Sequence, residues 1–404
     1  MLRVGNIEIH KPVIASSGPL TRKLNLLQQA EAAGCDAAML KLTFVSVPFP
    51  GQMRSFSMPG QTIVSPIDKR LDIEEGCELA RQARAETNLK IFANLGARGD
   101  QLDNWKILAE RFAAAGVHGL ELNFCCPNLD TTALAGRRTE HGGSQIGENP
   151  DTCGRITEIV RKLVDLPIVC KFLPNAPDVR EIGRACQEAG ADAVHVVGLP
   201  TAGLPPVNPD KPGTPDMPLV DNVAFGGSNG SICKYSTFMA TAQLARAVDI
   251  PIIASGGLED WRDFVSVVMW GASGVGLCSA IMWYGWRVVK ELNEDLADYM
   301  ARQGFADWQD FRGLALSRLT TPDKLVVRPG VSRIDCDVCM GCGRCTLPGH
   351  CDAIELKDGK AVVDDELCIG CGVCQRLCPV GAITYEYKKD LGSLVDRPIG
   401  QRRQ

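Results

Sequence analysis

The sequence predicts an α/β fold in two parts, a (β/α)8 TIM barrel followed by a small cysteine-rich α+β domain. Three observations carry that prediction. From residue 10 to about 290, eight short apolar runs alternate with longer stretches of helical spacing, the pattern of repeated βα units over a parallel sheet. Three of the helical stretches close on Ala33-Gly34, Ala115-Gly116 and Ala189-Gly190, where glycine can end a helix just before the next run. Nine of the 18 cysteines fall between Cys336 and Cys378, after the alternation has ended.

The eight expected strands are Val13 to Ser16, Ala37 to Lys41, Ile91 to Leu95, Gly119 to Asn123, Ile168 to Phe172, Ala193 to Val197, Ile252 to Ser255 and Gly274 to Leu277. Between them, Trp105, Leu108, Ala109 and Phe112 recur at three and four residues, as do Ile182, Ala185, Cys186 and Ala189. Eight such units over about 250 residues are what a closed barrel requires, with a doubly wound open sheet as the alternative. Two connections are long, about 124 to 148 after the fourth strand and about 198 to 235 after the sixth. In a barrel both stand on the C-terminal face, where long loops carry chemistry. The expected division is a barrel over 1–305, a polar, Arg-bearing connector over 306–333, the cysteine-rich domain over 334–388 and a tail over 389–404.

Composition narrows the function classes. An apolar fraction of 45% and a charged fraction of 23% are those of a soluble globular protein, and 404 residues suit one large and one small domain. No run approaches the ~20 apolar residues of a membrane span. The N-terminus alternates polar and apolar residues without a secretory leader, so a cytoplasmic location is expected. A net charge of -5 without a basic run argues against nucleic acid as the main partner. The nine cysteines of the first 278 residues are expected to be reduced, apolar core thiols.

The clustered cysteines read differently. Cys368-Ile-Gly-Cys371-Gly-Val-Cys374-Gln-Arg-Leu-Cys378-Pro379 is the bacterial ferredoxin pattern C-x2-C-x2-C-x3-C-P without a gap. An earlier copy reads Cys339-Met-Gly-Cys342-Gly-Arg-Cys345, with Cys351 after five residues instead of three. In such modules the fourth cysteine of each run reaches the other cluster. Cys339, Cys342, Cys345 and Cys378 are therefore expected to hold one [4Fe-4S] cluster, and Cys351, Cys368, Cys371 and Cys374 the second, with Cys336 left over. Zinc wants four ligands in separated pairs, and two such triplets supply too many closely spaced thiolates. The C-terminal domain is thus expected to be a bacterial-type 2[4Fe-4S] ferredoxin.

A resemblance follows from the barrel's own motifs. These are Ala15-Ser-Ser-Gly18-Pro19, Lys41 in Leu-Lys-Leu-Thr, Asn123-Phe-Cys-Cys126-Pro127, Lys171 on the fifth strand, Gly226-Gly-Ser-Asn-Gly230, Ser255-Gly-Gly257 and Gly276-Leu-Cys278-Ser279. On them the chain resembles the dihydroorotate dehydrogenase superfamily over nearly its whole length. With the ferredoxin it is most similar to the pyrimidine-reducing part of dihydropyrimidine dehydrogenase, of the bacterial iron–sulfur subunit type. The resemblance implies an oxidoreductase acting on CH–CH groups, with FMN held by Ala15, Ser16, Ser17, Lys41, Lys171, Gly227, Ser228, Ser255, Gly256, Gly257, Cys278 and Ser279. It implies Cys126 as the proton donor, with Cys125 facing elsewhere, and Asn123 and Asn94 as substrate-binding residues. Most of these positions fall at or just after strand ends, where a barrel builds its site, and the glycines after strands seven and eight let backbone approach a phosphate.

Where the pattern departs, it bears on substrate. Thr62, Val64, Gly198 and Leu199 stand where pyrimidine enzymes of this type carry polar residues for the ring's amides, so uracil and thymine are expected to be poor substrates. Arg137, Arg138 and His141 could meet an anionic group. The expected reaction is reduction of a conjugated or cyclic C=C bond. The alternatives are a dihydropyrimidine dehydrogenase proper and a non-catalytic FMN/iron–sulfur relay, which would need no proton donor. No G-x-G-x-x-G turn between a strand and a helix is visible, so electrons are expected from a separate FAD- and NAD(P)H-binding reductase subunit or a ferredoxin, within a homo- or hetero-oligomer.

Overall fold

Eight parallel strands close into a barrel: β1 Val13–Ala15, β2 Ala37–Met39, β3 Lys90–Leu95, β4 Gly119–Phe124, β5 Ile168–Phe172, β6 Ala193–Val197, β7 Ile252–Ser255 and β8 Gly274–Leu277. Each pairs with the next, and β8 returns to β1 through Leu277 opposite Ala15. The computed structural model describes residues 1–48, 51–126, 142–198, 202–328 and 330–387. Among these no helix is long and apolar enough to cross a membrane. Contacts divide the chain into Met1–Leu319 and Thr320–Gln404.

The barrel strands are buried on both faces, which is why they read as unbroken apolar runs. Helices between them bury one stripe each. In Leu102–Ala114 that stripe is Trp105, Leu108, Ala109 and Phe112, all fully buried. An N-terminal hairpin, Leu2–Val4 with Ile7–Ile9, adds Leu2, Val4 and Ile9 to the same core. Cys35, Cys77, Cys153, Cys170, Cys186 and Cys233 are free and buried.

Two features depart from expectation. A four-stranded antiparallel sheet, in the order Ala202–Gly203, Gly226–Asn229, Thr62–Ile67, Arg54–Met58, is built from stretches outside the eight expected strands. The connector is also shorter. Residues 306–319 belong to the first unit, because Phe311 is fully buried and the Trp308 indole Nε1 donates to the Ser273 carbonyl at 2.9 Å. At the other end, Gly330–Ile334 pairs with Ile383–Tyr387 inside the second unit. A second antiparallel pair there joins Ile354–Lys357 to Lys360–Val363.

Candidate active site and cysteine clusters

The C-terminal ends of the barrel strands surround a cavity open on one side. Ser16, Ser17, Lys41, Asn123, Cys125, Cys126, Lys171, Gly227, Ser255, Gly256, Gly257, Cys278 and Ser279 all line it. Asn94, expected to touch substrate, does not. It is fully buried on β3, with its Oδ1 accepting from Asn123 and its Nδ2 donating to Glu121. Ala15 and Ser228 are also outside the lining. Ala15 is core within β1, and Ser228 lies on a strand whose neighbours Gly227 and Asn229 face the cavity instead. Of the wall strand, Ile63 and Ser65 face inward, so Thr62 and Val64 stand on its other face; Gly198 is likewise not in the lining. Pro127, Arg137, Arg138, His141 and Leu199 lie outside the described residues.

Sequence reasoning missed a charged cluster at this mouth. Leu71 N–H bonds the Leu42 carbonyl at 3.1 Å, which draws residues 68–70 alongside Lys41. Asp68 then pairs with Lys41 and, at 3.3 Å, with Arg70 Nη1. Arg70, only 5% exposed, directs Nη2 to Cys126 Sγ at 3.9 Å. Alternation was the available signal, since Asp68 and Arg70 share one face of an extended segment. Burial pushes Lys41 below its ordinary value, Asp68 opposing and Arg70 reinforcing the shift. A hydrogen bond from Cys125, then the charges of Arg70, Lys171 and Lys41, bring Cys126 down to about 6 against the cost of burial. Cys125 moves the other way, well above an ordinary thiol.

A second network fills the barrel interior. Glu121 on β4 and His195 on β6 are both fully buried, with His195 Nδ1 2.5 Å from Glu121 Oε1 and Nε2 2.8 Å from Ser255 Oγ. Lys171 Nζ lies 3.6 Å from Glu121 Oε2. Burial alone would raise Glu121, but Lys171, His195 and Asn94 outweigh it and hold the carboxyl at about 2. Burial likewise works against charge on Lys171, and Glu121 with the nearby thiols carries it above its ordinary value. A charged residue inside an apolar strand was the only sequence signal for either partner.

Ser16 Oγ is buried and has no hydrogen-bond partner, an expensive state unless something bound supplies one. Gly257 sits at φ 78°, and a Cβ there would come within 2.4 Å of the Lys234 backbone nitrogen, so only glycine fits at this point of the wall.

In the second unit, a small pocket is lined by Cys339, Cys342, Cys345 and Cys378 among apolar residues that include Ile334, Leu356 and Ile383. Thiolate sulfurs in an apolar shell are the donor type that iron–sulfur clusters take. Backbone N–H groups of Ala361 and Gly341 lower the Cys339 thiol, and Ala382 N–H points to Cys378 Sγ at 3.2 Å. Around the other set, Ser332 N–H meets Cys368 Sγ at 3.4 Å and Ser332 Oγ lies 3.2 Å from Cys374 Sγ. The two triplets share a backbone: Gly341 and Gly370, at matching positions, have φ 69° and 66°. A Cβ would meet the Gly359 carbonyl at 2.1 Å in one and the Gly330 carbonyl at 2.8 Å in the other.

With this geometry in view, comparison with known proteins places the chain. The sequence pattern of dihydroorotate dehydrogenase matches residues 72–300, more than half of the 404. The chain belongs to the dihydroorotate dehydrogenase family. It also carries a 4Fe-4S binding domain, matched over residues 361–384, a span that holds Cys368, Cys371, Cys374 and Cys378. Among relatives of this family member, the NAD-dependent dihydropyrimidine dehydrogenase subunit PreA of Escherichia coli K12 is 30% identical over 255 residues, 61% of this chain and 59% of the relative. The catalytic subunit of dihydroorotate dehydrogenase B (NAD(+)) from Thermococcus kodakarensis is 30% identical over 218 residues, covering 54% and 66%. That from Pyrococcus abyssi is 25% identical over 322 residues, covering 77% and 97%. The match thus spans about three-fifths of the length of the Escherichia coli relative.

Proposed function

We propose that this chain is an iron–sulfur flavoprotein oxidoreductase that acts on a CH–CH bond, reducing a conjugated or cyclic C=C. The observation that carries the reading is one cavity in which Cys126, Lys41 and Lys171 converge beside an unpartnered Ser16 hydroxyl and a wall only glycine can form at Gly257. Ser16, Ser17, Ser255, Gly256, Gly257, Cys278 and Ser279 would hold FMN, with Gly227, Lys41 and Lys171 completing its surroundings. When bound, FMN takes up single electrons and delivers them as a pair. Lys41 and Lys171 place positive charge where anionic character develops. Cys126 gives a proton to the carbon beside the one reduced.

The cysteines would hold two [4Fe-4S] clusters, Cys339, Cys342, Cys345 and Cys378 for one and Cys351, Cys368, Cys371 and Cys374 for the other. The pocket around the first set and the repeated glycine geometry of the two triplets support that assignment. Clusters appended to a flavin barrel make a wire, so the donor is a separate FAD- and NAD(P)H-binding reductase subunit or a ferredoxin. The relatives' names, one an NAD-dependent enzyme's subunit and another a catalytic subunit, favour an oligomer with such a partner.

The name of the Escherichia coli relative also favours a second reading, a dihydropyrimidine dehydrogenase proper acting on uracil or thymine. Ile63 and Ser65 on the cavity wall count against it, because they bring one hydroxyl where a pyrimidine's paired amides want several partners. The test of the main reading is Cys126→Ser, assayed with chemically reduced protein against a panel of conjugated and cyclic alkenes. Turnover falls by about two orders of magnitude or more while flavin and iron contents stay unchanged. Loss on Cys125→Ser with none on Cys126→Ser would transfer the role to the neighbouring thiol.

A further inference from the structure

Among the described residues, three cations surround the sulfur of Cys126, Lys41, Arg70 and Lys171, against two carboxylates, Asp68 paired with the first two and Glu121 paired with the third. The other thiols nearby supply no negative charge. A hydrogen bond to Cys126 and burial push Cys125 well above an ordinary thiol, and burial raises Cys278. Among these residues one positive charge is therefore left over, and Cys126 can answer it as a thiolate.

Of the three cations, Arg70 is the one in hydrogen-bonding reach of the sulfur, with Nη2 at 3.9 Å. Its other terminal nitrogen is tied to Asp68 at 3.3 Å, and the backbone just beyond it is fixed by the bond from Leu71 N–H to the Leu42 carbonyl. A planar guanidinium held at one edge presents the other in a set direction, which a lysine on a flexible stem does not. We propose that Arg70, aimed by Asp68, is a positioning residue that holds the sulfur of Cys126 as a thiolate when no substrate is bound. Cys125 adds a hydrogen bond to the same sulfur but no charge.

The consequence concerns the order of proton movements. In the reducing direction Cys126 takes a proton from water before it can hand one to carbon. In the reverse direction the thiolate accepts the substrate's proton directly. An anion entering the cavity competes for Arg70 and returns the sulfur to the thiol form. This deepens the reading of Cys126 as the proton-moving group, yet the thiolate can be measured without turnover.

The test alkylates the flavin- and cluster-loaded chain anaerobically with iodoacetamide across about pH 5 to 9.5, a range that brackets an ordinary thiol. Cys126 is quantified by mass spectrometry of its peptide, with Cys126→Ser as the blank. Wild type labels with a midpoint near 6. Arg70→Gln moves that midpoint up by about one to three pH units, and Arg70→Lys, which keeps the charge, moves it less. A wild-type midpoint at the ordinary thiol value of about 8.5 overturns the proposal with no variant needed. So does an Arg70→Gln protein whose midpoint stays in place while its circular dichroism and flavin content match wild type. A midpoint near 6 that depends on Arg70 upholds it even if Cys126→Ser turns over normally, a result that would remove the catalytic reading alone.

Discussion

Glu121 offers the sharpest test of what holds the barrel interior together. Its carboxyl sits at about 2 instead of the ordinary 4.5. That difference of about 2.5, at 1.36 kcal/mol each, is about 3 kcal/mol of native-state preference for the ionised form. The sign follows from the direction. A depressed carboxyl contributes stability above its unfolded value, so the contribution is whole at neutral pH and is lost as pH falls from about 4.5 through about 2. Glu121→Gln removes it and leaves Lys171 and His195 buried beside a neutral amide, with the Asn94 amide still aimed at the same atom. Breaking one side of such a pair costs about 3 to 5 kcal/mol, whereas replacing both sides with apolar groups is often close to neutral. Anaerobic thermal unfolding followed by tryptophan fluorescence should therefore put the barrel transition of Glu121→Gln about 5–10 °C below wild type, by a margin that stays constant from about pH 5 to 8. Glu121→Gln/Lys171→Met should be less destabilised than the sum of the two single variants by at least about 1 kcal/mol. A Glu121→Gln protein within about a degree of wild type, or strictly additive variants, would refute the coupling.

Two further outcomes follow from the cofactor assignments. Anaerobically purified protein should carry about one FMN and eight irons per chain, counted by absorbance and colorimetric iron analysis; four irons in a folded chain would leave Cys339, Cys342 and Cys345 without a cluster. Mixed anaerobically with NADH or NADPH alone, the chain should keep its flavin oxidised over the mixing time of a stopped-flow trace, and rapid stoichiometric bleaching would place the nicotinamide site on this chain instead of a partner.

The barrel was legible because its strands are short, apolar and flanked by helices whose stripes recur at three and four residues. A parallel sheet covered on both faces leaves that trace and few other folds do. The ferredoxin pattern was legible for a different reason, since thiolate spacing is dictated by the ligand rather than by the fold. What escaped notice depends on approach in space. Glu121 and His195 are 74 residues apart and meet only because β4 and β6, the two neighbours of β5, both turn these side chains into the closed barrel. Arg70 becomes a partner of Cys126 only once Leu71 docks on Leu42. The wall strand Thr62–Ile67 illustrates the cost of a register error. Taking Thr62 and Val64 as the inward pair differs from the actual Ile63 and Ser65 by one residue, and in a strand one residue exchanges the two faces completely.

Asn123 sharpens what the cavity can recognise. An asparagine amide has two acceptor sites and two donors. Its Oδ1 already accepts the backbone N–H of Cys125 at 3.1 Å and of Cys126 at 3.2 Å. Its Nδ2 gives one hydrogen to Asn94 Oδ1 at 2.9 Å, and Asn94 in turn is anchored on Glu121. The carbonyl end of Asn123 is therefore committed to shaping the turn that carries both cysteines, and one N–H is left for a ligand. A substrate that meets this residue must bring an acceptor, such as a carbonyl or carboxylate oxygen, because a ligand N–H would find no lone pair to receive it. The side chain that orients substrate is thus the one that fixes the Cys126 backbone, and it is held through Asn94 by the carboxylate that balances Lys171. Changes made deep in the barrel at Glu121 should consequently be felt at the sulfur, along hydrogen bonds that can be counted one by one.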